Sequence, residues 1–177
     1  MPIFTPNSAL LLVDFQTRYR AIVPASVCAE VARLLELARS QGVPVVHVRE
    51  LKYPTKSARF YNALTRRRGE RVRRHRRAAP PEKALPFATE APSEQVIVKD
   101  GYDSFYGTRL HAELQRRGVT DLYVCGVLSG VCVLNTVFSA FNRGYFVHLV
   151  EAACADRTAK RHRSVLDNYR NYLYLPA

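Results

Sequence analysis

The chain has 177 residues, 47% of them apolar, and a formal net charge of +12 at pH 7. This length favours one domain with its own core, and no apolar run approaches the roughly 18 residues that a membrane-spanning helix needs. Because no basic segment precedes an apolar one at the N-terminus, we expect no signal peptide. The sequence therefore predicts a cytoplasmic protein that does not enter a membrane.

The first third of the chain predicts a strand, a helix and a second strand. The continuous apolar run of residues 9–13 is typical of a strand that is covered on both faces. Residues 24–41 carry apolar side chains at helical spacing and are followed by Gly42, a helix stop signal. The run VPVVHV, residues 43–48, predicts the second strand, and residues 58–65 are compatible with a short helix.

Positive charge is concentrated in the segment RRRGERVRRHRR, residues 66–77, which holds eight arginines and one glutamate. Such a block indicates a solvated stretch or an anion-binding patch. We expect no nucleic acid as partner, because no nucleic-acid-binding motif and no interleaved aromatic side chains accompany the block. We interpret residues 66–82 as an Arg-rich insertion in a single domain spanning residues 1–177, either solvated or a basic lid over an anionic substrate.

The rest of the chain predicts further strands that alternate with helices. The strands are apolar runs, at residues 95–98, 121–127 and 145–150, with a short sixth strand at residues 172–175. The helices cover residues 108–117, 131–143 and 158–169. This alternation predicts the α/β class, with a mostly parallel sheet of five to six strands.

The four cysteines form no CxxC pair and no Cys/His cluster at zinc spacing, so we expect neither a disulfide framework nor a zinc site. Cys125 lies within a predicted strand, Cys28 in the first helix and Cys154 in a predicted loop. Cys132 differs, because it lies between a predicted strand and a predicted helix. Backbone N–H groups and the helix dipole at such a turn favour a thiolate.

Two more ionisable residues stand where predicted strands end, Asp14 after ALLLV and Lys99 after QVIV. The carboxyl ends of parallel strands meet at one edge of a sheet, and ligands of open α/β folds bind at that edge. We therefore expect Asp14, Lys99 and Cys132 to lie close together. A thiol beside a carboxylate and an ammonium indicates nucleophilic catalysis, and the alternative is a salt bridge next to an inert buried thiol.

Three segments resemble the signature blocks of the isochorismatase-like cysteine hydrolases, which include nicotinamidases, carbamoyl-amide hydrolases and ureidoacrylate or maleamate amidohydrolases. These segments are LLLVDFQTRY, VKDGYDSFYGTRL and CGVLSGVCVLNTVFSAFNRGY. The resemblance implies a three-layer α/β/α sandwich around a Rossmann-like sheet, and a homo-oligomer. It assigns the family triad to Asp14, Lys99 and Cys132. Cys132 would attack an amide carbonyl, Asp14 would move the proton, and Lys99 would lower the pKa of both.

The resemblance also implies an oxyanion hole made by the backbone N–H groups of Leu128 and Cys132, with a cis peptide bond between Val127 and Leu128. Further side chains are predicted to orient or line the pocket. They are Gln16, Tyr19, Tyr102, Phe105 and Tyr106. For Phe105, core packing is an equal alternative.

The nicotinamidases of this family carry D-x-H after the second strand, and this chain has VVHVRELKY there instead. We therefore expect no metal and no cofactor, and we interpret His47 as a histidine with a partner in the fold. Arg49 is a candidate carboxylate-binding group, because its planar guanidinium matches a carboxylate.

The predicted function is hydrolysis of an amide or carbamoyl C–N bond in a small anionic molecule. Two alternatives stay open at this point. The first is hydrolysis of an isochorismate-type vinyl ether. The second is a non-catalytic module that binds an anion or a partner on the same fold.

Overall fold

The computed structural model describes residues 4–51, 63, 66, 67 and 80–177. The helix predicted at residues 58–65 and the Arg-rich insertion at residues 66–82 therefore lie largely outside the described residues. Among the helices that are described, none combines the length and the apolar character needed to cross a bilayer.

Six parallel strands form one sheet in the spatial order β3-β2-β1-β4-β5-β6. The strands are β1 (Ser8–Val13), β2 (Val45–Glu50), β3 (Gln95–Lys99), β4 (Asp121–Val127), β5 (Phe146–Ala155) and β6 (Leu175–Pro176). All six residues of β1 are buried, because this central strand is covered on both faces. The strand order reverses direction between β1 and β4, which is where open α/β sheets bind their ligands.

Helices flank the sheet and complete an α/β sandwich, as predicted. They are α1 (Ala25–Ser40), α2 (Leu110–Arg116), α3 (Leu134–Phe141) and α4 (Ala159–Tyr169). Short 3-10 helices cover Thr17–Ile22 and Pro86–Ala88, and one π-helical turn covers Ser129–Val133. Helix α1 buries the apolar positions that the sequence placed on one face, which are Val27, Val31, Leu34, Leu35 and Ala38.

Several predicted boundaries are wrong. Strand β2 covers Val45–Glu50 rather than residues 43–48, and β6 covers Leu175–Pro176 rather than residues 172–175. Strand β5 continues to Ala155 rather than ending at residue 150, so Cys154 lies in a strand and not in a loop. Cys154 pairs with Gly126 after a shift of register in which β5 has the extra residues, between Leu149 and Cys154. The helix predicted from residue 131 begins instead as the π-helical turn that carries Cys132.

Gly126 holds β4 close to β1 just before both strands end. Its φ is +148°, and a Cβ atom at this position would lie 2.3 Å from the carbonyl oxygen of Val13. Only glycine permits this backbone contact. Because Asp14 follows Val13 directly, the contact brings the ends of β1 and β4 against each other.

Candidate active site

Four buried polar side chains meet at the carboxyl edge of the sheet, and we call this group the strand-end site. Asp14 follows β1, Glu50 ends β2, Lys99 ends β3, and Cys132 lies in the turn after β4. Their exposed fractions are 0%, 5%, 1% and 1% in that order. The sequence predicted the meeting of Asp14, Lys99 and Cys132. It missed Glu50, although the same signal, an ionisable residue at the end of an apolar strand, marks it.

Lys99 is held in place by three polar contacts of its ammonium group. Its Nζ lies 2.8 Å from Asp14 Oδ2 and donates to the carbonyl oxygens of Gly101 at 2.9 Å and Tyr102 at 3.1 Å. Burial opposes the charge on Lys99, but attraction to Asp14 outweighs it, so the pKa of Lys99 is raised. This ammonium is therefore fixed beside Asp14, and its charge acts on both Asp14 and Cys132.

Cys132 faces two carboxyl groups inside the strand-end site. Its Sγ, an oxygen of Asp14 and an oxygen of Glu50 all lie within 4.8 Å of one another. Burial raises the pKa of the Cys132 thiol, and the negative charge of Asp14 raises it further. Burial also raises the pKa of Asp14 despite the neighbouring Lys99. Lys99 lowers the pKa of both groups, as expected, but burial outweighs its effect, so both pKa values are raised overall.

Alkylation of Cys132 by iodoacetamide should accordingly accelerate as the pH rises, and it should still be rising above the ordinary cysteine pKa, about 8.5. The thiolate is the reactive form, and the buried site disfavours it at neutral pH. Mass spectrometry of the peptide that contains Cys132 would give the rate at each pH. A rate that levels off near pH 7 would contradict this prediction.

Other side chains bind both the backbone and the carboxylate of Glu50. The side-chain amide of Gln16 accepts from the Glu50 N–H at 2.9 Å and donates to the Glu50 carbonyl oxygen at 3.0 Å. Glu50 Oε2 accepts from the Tyr19 hydroxyl at 3.4 Å and lies 3.5 Å from an Arg18 nitrogen. Gln16 and Tyr19, predicted as pocket residues, thus contact the site through Glu50. Arg18 was not predicted.

The π-helical turn that carries Cys132, Ser129–Val133, is held by hydrogen bonds to Asp156. Asp156 Oδ2 accepts from the Gly130 N–H at 2.7 Å and from the Ser129 hydroxyl at 3.2 Å. His162 Nδ1 lies 3.1 Å from the same hydroxyl. The Val127–Leu128 peptide bond is cis, as the resemblance implied. The oxyanion role of the Leu128 and Cys132 N–H groups stays a prediction.

Two other predicted pocket residues lie elsewhere. Arg49 pairs with Glu90, and it precedes Glu50 in β2, so it projects to the opposite face of the sheet. Phe105 is 4% exposed and stacks on Tyr145, with ring centroids 5.9 Å apart, so it is a packing residue. Both assignments to the pocket are therefore corrected.

The remaining aromatic candidates, Tyr102 and Tyr106, are 38% and 65% exposed. The Tyr102 carbonyl contacts Lys99, which keeps this loop beside the strand-end site. Their side-chain roles stay predictions.

Three side chains of metal-ligand type, Asp14, Glu50 and Cys132, come together in the described part of the chain. The Lys99 ammonium already neutralises Asp14 there, so the group does not fit a divalent cation. His47 Nε2 lies 2.9 Å from Glu94 Oε2, which confirms that this histidine has a partner in the fold.

The sequence model of the isochorismatase domain matches residues 8–175. The uncharacterized isochorismatase family protein YddQ of Bacillus subtilis is 36% identical, over 86% of this chain and 79% of its own. The ureidoacrylate amidohydrolase RutB of Methylobacterium radiotolerans is 35% identical over 48% of this chain and 33% of its own. A probable inactive nicotinamidase of Arabidopsis thaliana is 29% identical over 93% of this chain and 89% of its own.

Solved structures have the same fold. An isochorismatase family protein of Burkholderia thailandensis superposes with a TM-score of 0.78 and 24% identity, over 100% of this chain and 94% of its own. The N-carbamoylsarcosine amidase of Thermoplasma acidophilum superposes with a TM-score of 0.74 and 23% identity, over 96% of this chain and 95% of its own.

Proposed function

This chain belongs to the isochorismatase family, and on that premise we propose that it hydrolyses the C–N bond of a small amide or carbamoyl compound through a thioester on Cys132. One observation carries the proposal. Asp14 lies between a buried ammonium, 2.8 Å away, and the Cys132 thiol, with all three side chains sealed from bulk solvent. A base that is paired with a fixed cation and adjacent to a thiol suits proton transfer at a nucleophile.

In the first half-reaction, Cys132 Sγ attacks the substrate carbonyl carbon while the thiol proton passes to Asp14. The carbonyl oxygen becomes an oxyanion, which the Leu128 and Cys132 N–H groups would stabilise. The C–N bond then breaks, and Asp14 returns the proton to the departing nitrogen. The products are ammonia or an amine and a Cys132 thioester.

In the second half-reaction, a water molecule attacks the thioester carbonyl and gives its proton to Asp14. The S–C bond breaks, the acid product leaves, and the sulfur recovers the proton. Lys99 remains an ammonium throughout, so it offsets the negative charge that moves between Asp14 and Cys132. No cofactor takes part in this sequence.

The amide class is supported by the names of relatives, an ureidoacrylate amidohydrolase and an N-carbamoylsarcosine amidase. The expected anionic character of the substrate rested on Arg49 and on the Arg-rich segment at residues 66–77, and of these the Arg49 guanidinium pairs with Glu90. We therefore make the proposal without an anion-binding role for Arg49.

The test measures release of ammonia or amine from nicotinamide, N-carbamoyl amino acids, ureidoacrylate, maleamate and biuret. The wild type should hydrolyse at least one of these amides, and Cys132→Ala should reduce that rate by on the order of 10³-fold or more, because the nucleophile is gone. Cys28→Ala, which changes a cysteine in α1, is the matched control and should keep the wild-type rate.

Equal rates in the wild type and in Cys132→Ala would overturn the proposed nucleophile. If no amide is hydrolysed by the folded wild type, the C–N assignment fails. Release of a ketone-type product from isochorismate would then favour the vinyl-ether reaction.

A further inference from the structure

The proposed reaction uses Asp14, Lys99 and Cys132 but leaves the acid of the strand-end site, Glu50, without a role. Glu50 is 5% exposed, and one of its carboxylate oxygens lies within 4.8 Å of both Cys132 Sγ and an Asp14 oxygen. Burial and repulsion from Asp14 both disfavour a charge here, and they raise the pKa of Glu50. A second buried carboxylate beside the first is costly, and such groups are found at functional sites.

Several contacts hold Glu50 in place. Gln16 binds both backbone polar groups of Glu50, while Arg18 and Tyr19 support the carboxylate from the 3-10 helix Thr17–Ile22. Both side-chain contacts fall on Oε2. Among the described residues, Oε1 is left as the oxygen that can accept a hydrogen bond from a bound molecule.

We propose that Glu50 accepts a hydrogen bond from the N–H group of the substrate and thereby selects primary amides, ureas and carbamoyl groups. The proposal rests on the proposed function, since it places the scissile carbonyl at Cys132. A primary amide nitrogen carries two N–H donors that point in different directions. In the strand-end site, the carboxyl groups of Asp14 and Glu50 both lie near the Cys132 sulfur. Their oxygens can accept the two hydrogen bonds that such a nitrogen donates.

The same arrangement excludes a carboxylate next to the scissile bond. The Lys99 ammonium pairs with Asp14 and donates to two carbonyl oxygens, and Arg18 contacts Glu50. Among the described residues, a substrate carboxylate at the reacting centre would therefore meet two acids whose neighbouring cations are already paired with them. Any acidic group of the substrate must lie away from the bond that is cleaved.

Three alkylating reagents that differ only beside the carbonyl test this selection without knowledge of the natural substrate. Iodoacetamide has a primary amide, 2-iodo-N,N-dimethylacetamide lacks N–H groups, and iodoacetate carries a carboxylate. In each reaction the Cys132 sulfur forms a bond to the CH₂ carbon, iodide leaves, and the thiol proton goes to Asp14 or solvent. For each reagent, the alkylation rate of Cys132 is divided by the alkylation rate of glutathione at the same pH, which removes the intrinsic reactivity of the reagent. Comparing these quotients between reagents then removes the thiolate fraction of Cys132.

In the wild type, the alkylation rate of Cys132 relative to glutathione should be about tenfold higher for iodoacetamide than for each of the other two reagents. This factor is the effect of one hydrogen bond to a charged acceptor. Glu50→Gln keeps the shape of the side chain and removes its charge, so both preferences should fall to within about threefold of glutathione. Glu90→Gln, which changes the acid that pairs with Arg49, is the matched control and should keep the wild-type ratios.

The outcomes separate this proposal from the proposed function. If Cys132 is labelled with glutathione-like ratios in the wild type, or with unchanged ratios in Glu50→Gln, the role of Glu50 is overturned and the nucleophile stands. If no reagent labels Cys132 at any pH, the nucleophile itself is overturned. The wild-type ratios alone can decide against Glu50, so the test does not depend on the stability of the variant.

Discussion

Replacing Lys99 with methionine is expected to lower the free energy of unfolding by about 3–5 kcal/mol, because the substitution leaves Asp14 buried without its counter-charge. Both side chains are fully buried, and their charged atoms lie 2.8 Å apart. Without the ammonium, the pKa of Asp14 should rise above its already raised value. The loss of stability should therefore be smallest in acid, where Asp14 is protonated in both states, and should grow as the pH rises.

Urea denaturation of the single and double variants would measure this effect. Asp14→Asn combined with Lys99→Met removes both charges, and it should recover most of the stability that Lys99→Met loses. Lys160→Met, on the exposed face of α4, is the control and should change stability by about 0.5 kcal/mol or less. A loss below about 1 kcal/mol in Lys99→Met, independent of pH, would show that the pair does not act as one buried unit.

Gly126→Ala should destabilise the fold by about 3 kcal/mol or more, the sum of overpacking and of a strained backbone. The added Cβ would lie 2.3 Å from the Val13 carbonyl oxygen and 2.8 Å from the Val13 Cβ. Neither neighbour can move without displacing the central strand, so β1 and β4 must separate where Asp14 begins. We therefore expect loss of amide hydrolysis as well as loss of stability.

Gly118→Ala provides the matched control for this prediction. Gly118 also has a positive φ, +65°, but nothing lies within 4 Å of its added Cβ. Gly118→Ala should lower the free energy of unfolding by about 1–2 kcal/mol, which is the cost of placing a residue with a Cβ atom at a positive φ. If urea denaturation gives equal losses for the two variants, the close approach of β4 to β1 is not what requires glycine at position 126.

The layers of the fold and three members of the site could be predicted because they depend on patterns that are local in sequence. Apolar runs mark buried parallel strands, and an ionisable residue after such a run must lie at the carboxyl edge of the sheet. The same rule applied to the end of VVHVRE would have found Glu50. Glu50 was missed because the strand was predicted to end at Val48, whereas β2 continues through two charged residues to Glu50.

What the sequence did not reveal depends on neighbours that are distant in the chain. The face to which Arg49 points, and its partner Glu90, follow from the register of β2 and from the path of the connection after it. The packing of Phe105 depends on Tyr145, which belongs to a different element. The raised pKa of Cys132 depends on how completely its side chain is buried, which elements distant in the chain determine.

The hydrogen bonds of Asp156 determine when, during synthesis, the turn around Cys132 can be completed. Synthesis proceeds from the N-terminus, so Asp14, Lys99 and Cys132 all leave the ribosome before the residue that fastens the turn at Gly130. A nascent chain that ends before β5 is complete carries the whole triad but lacks this anchor. The turn around Cys132 is therefore completed late, when the last quarter of the chain docks on the sheet, and a chain released early would lack the contacts that hold this turn.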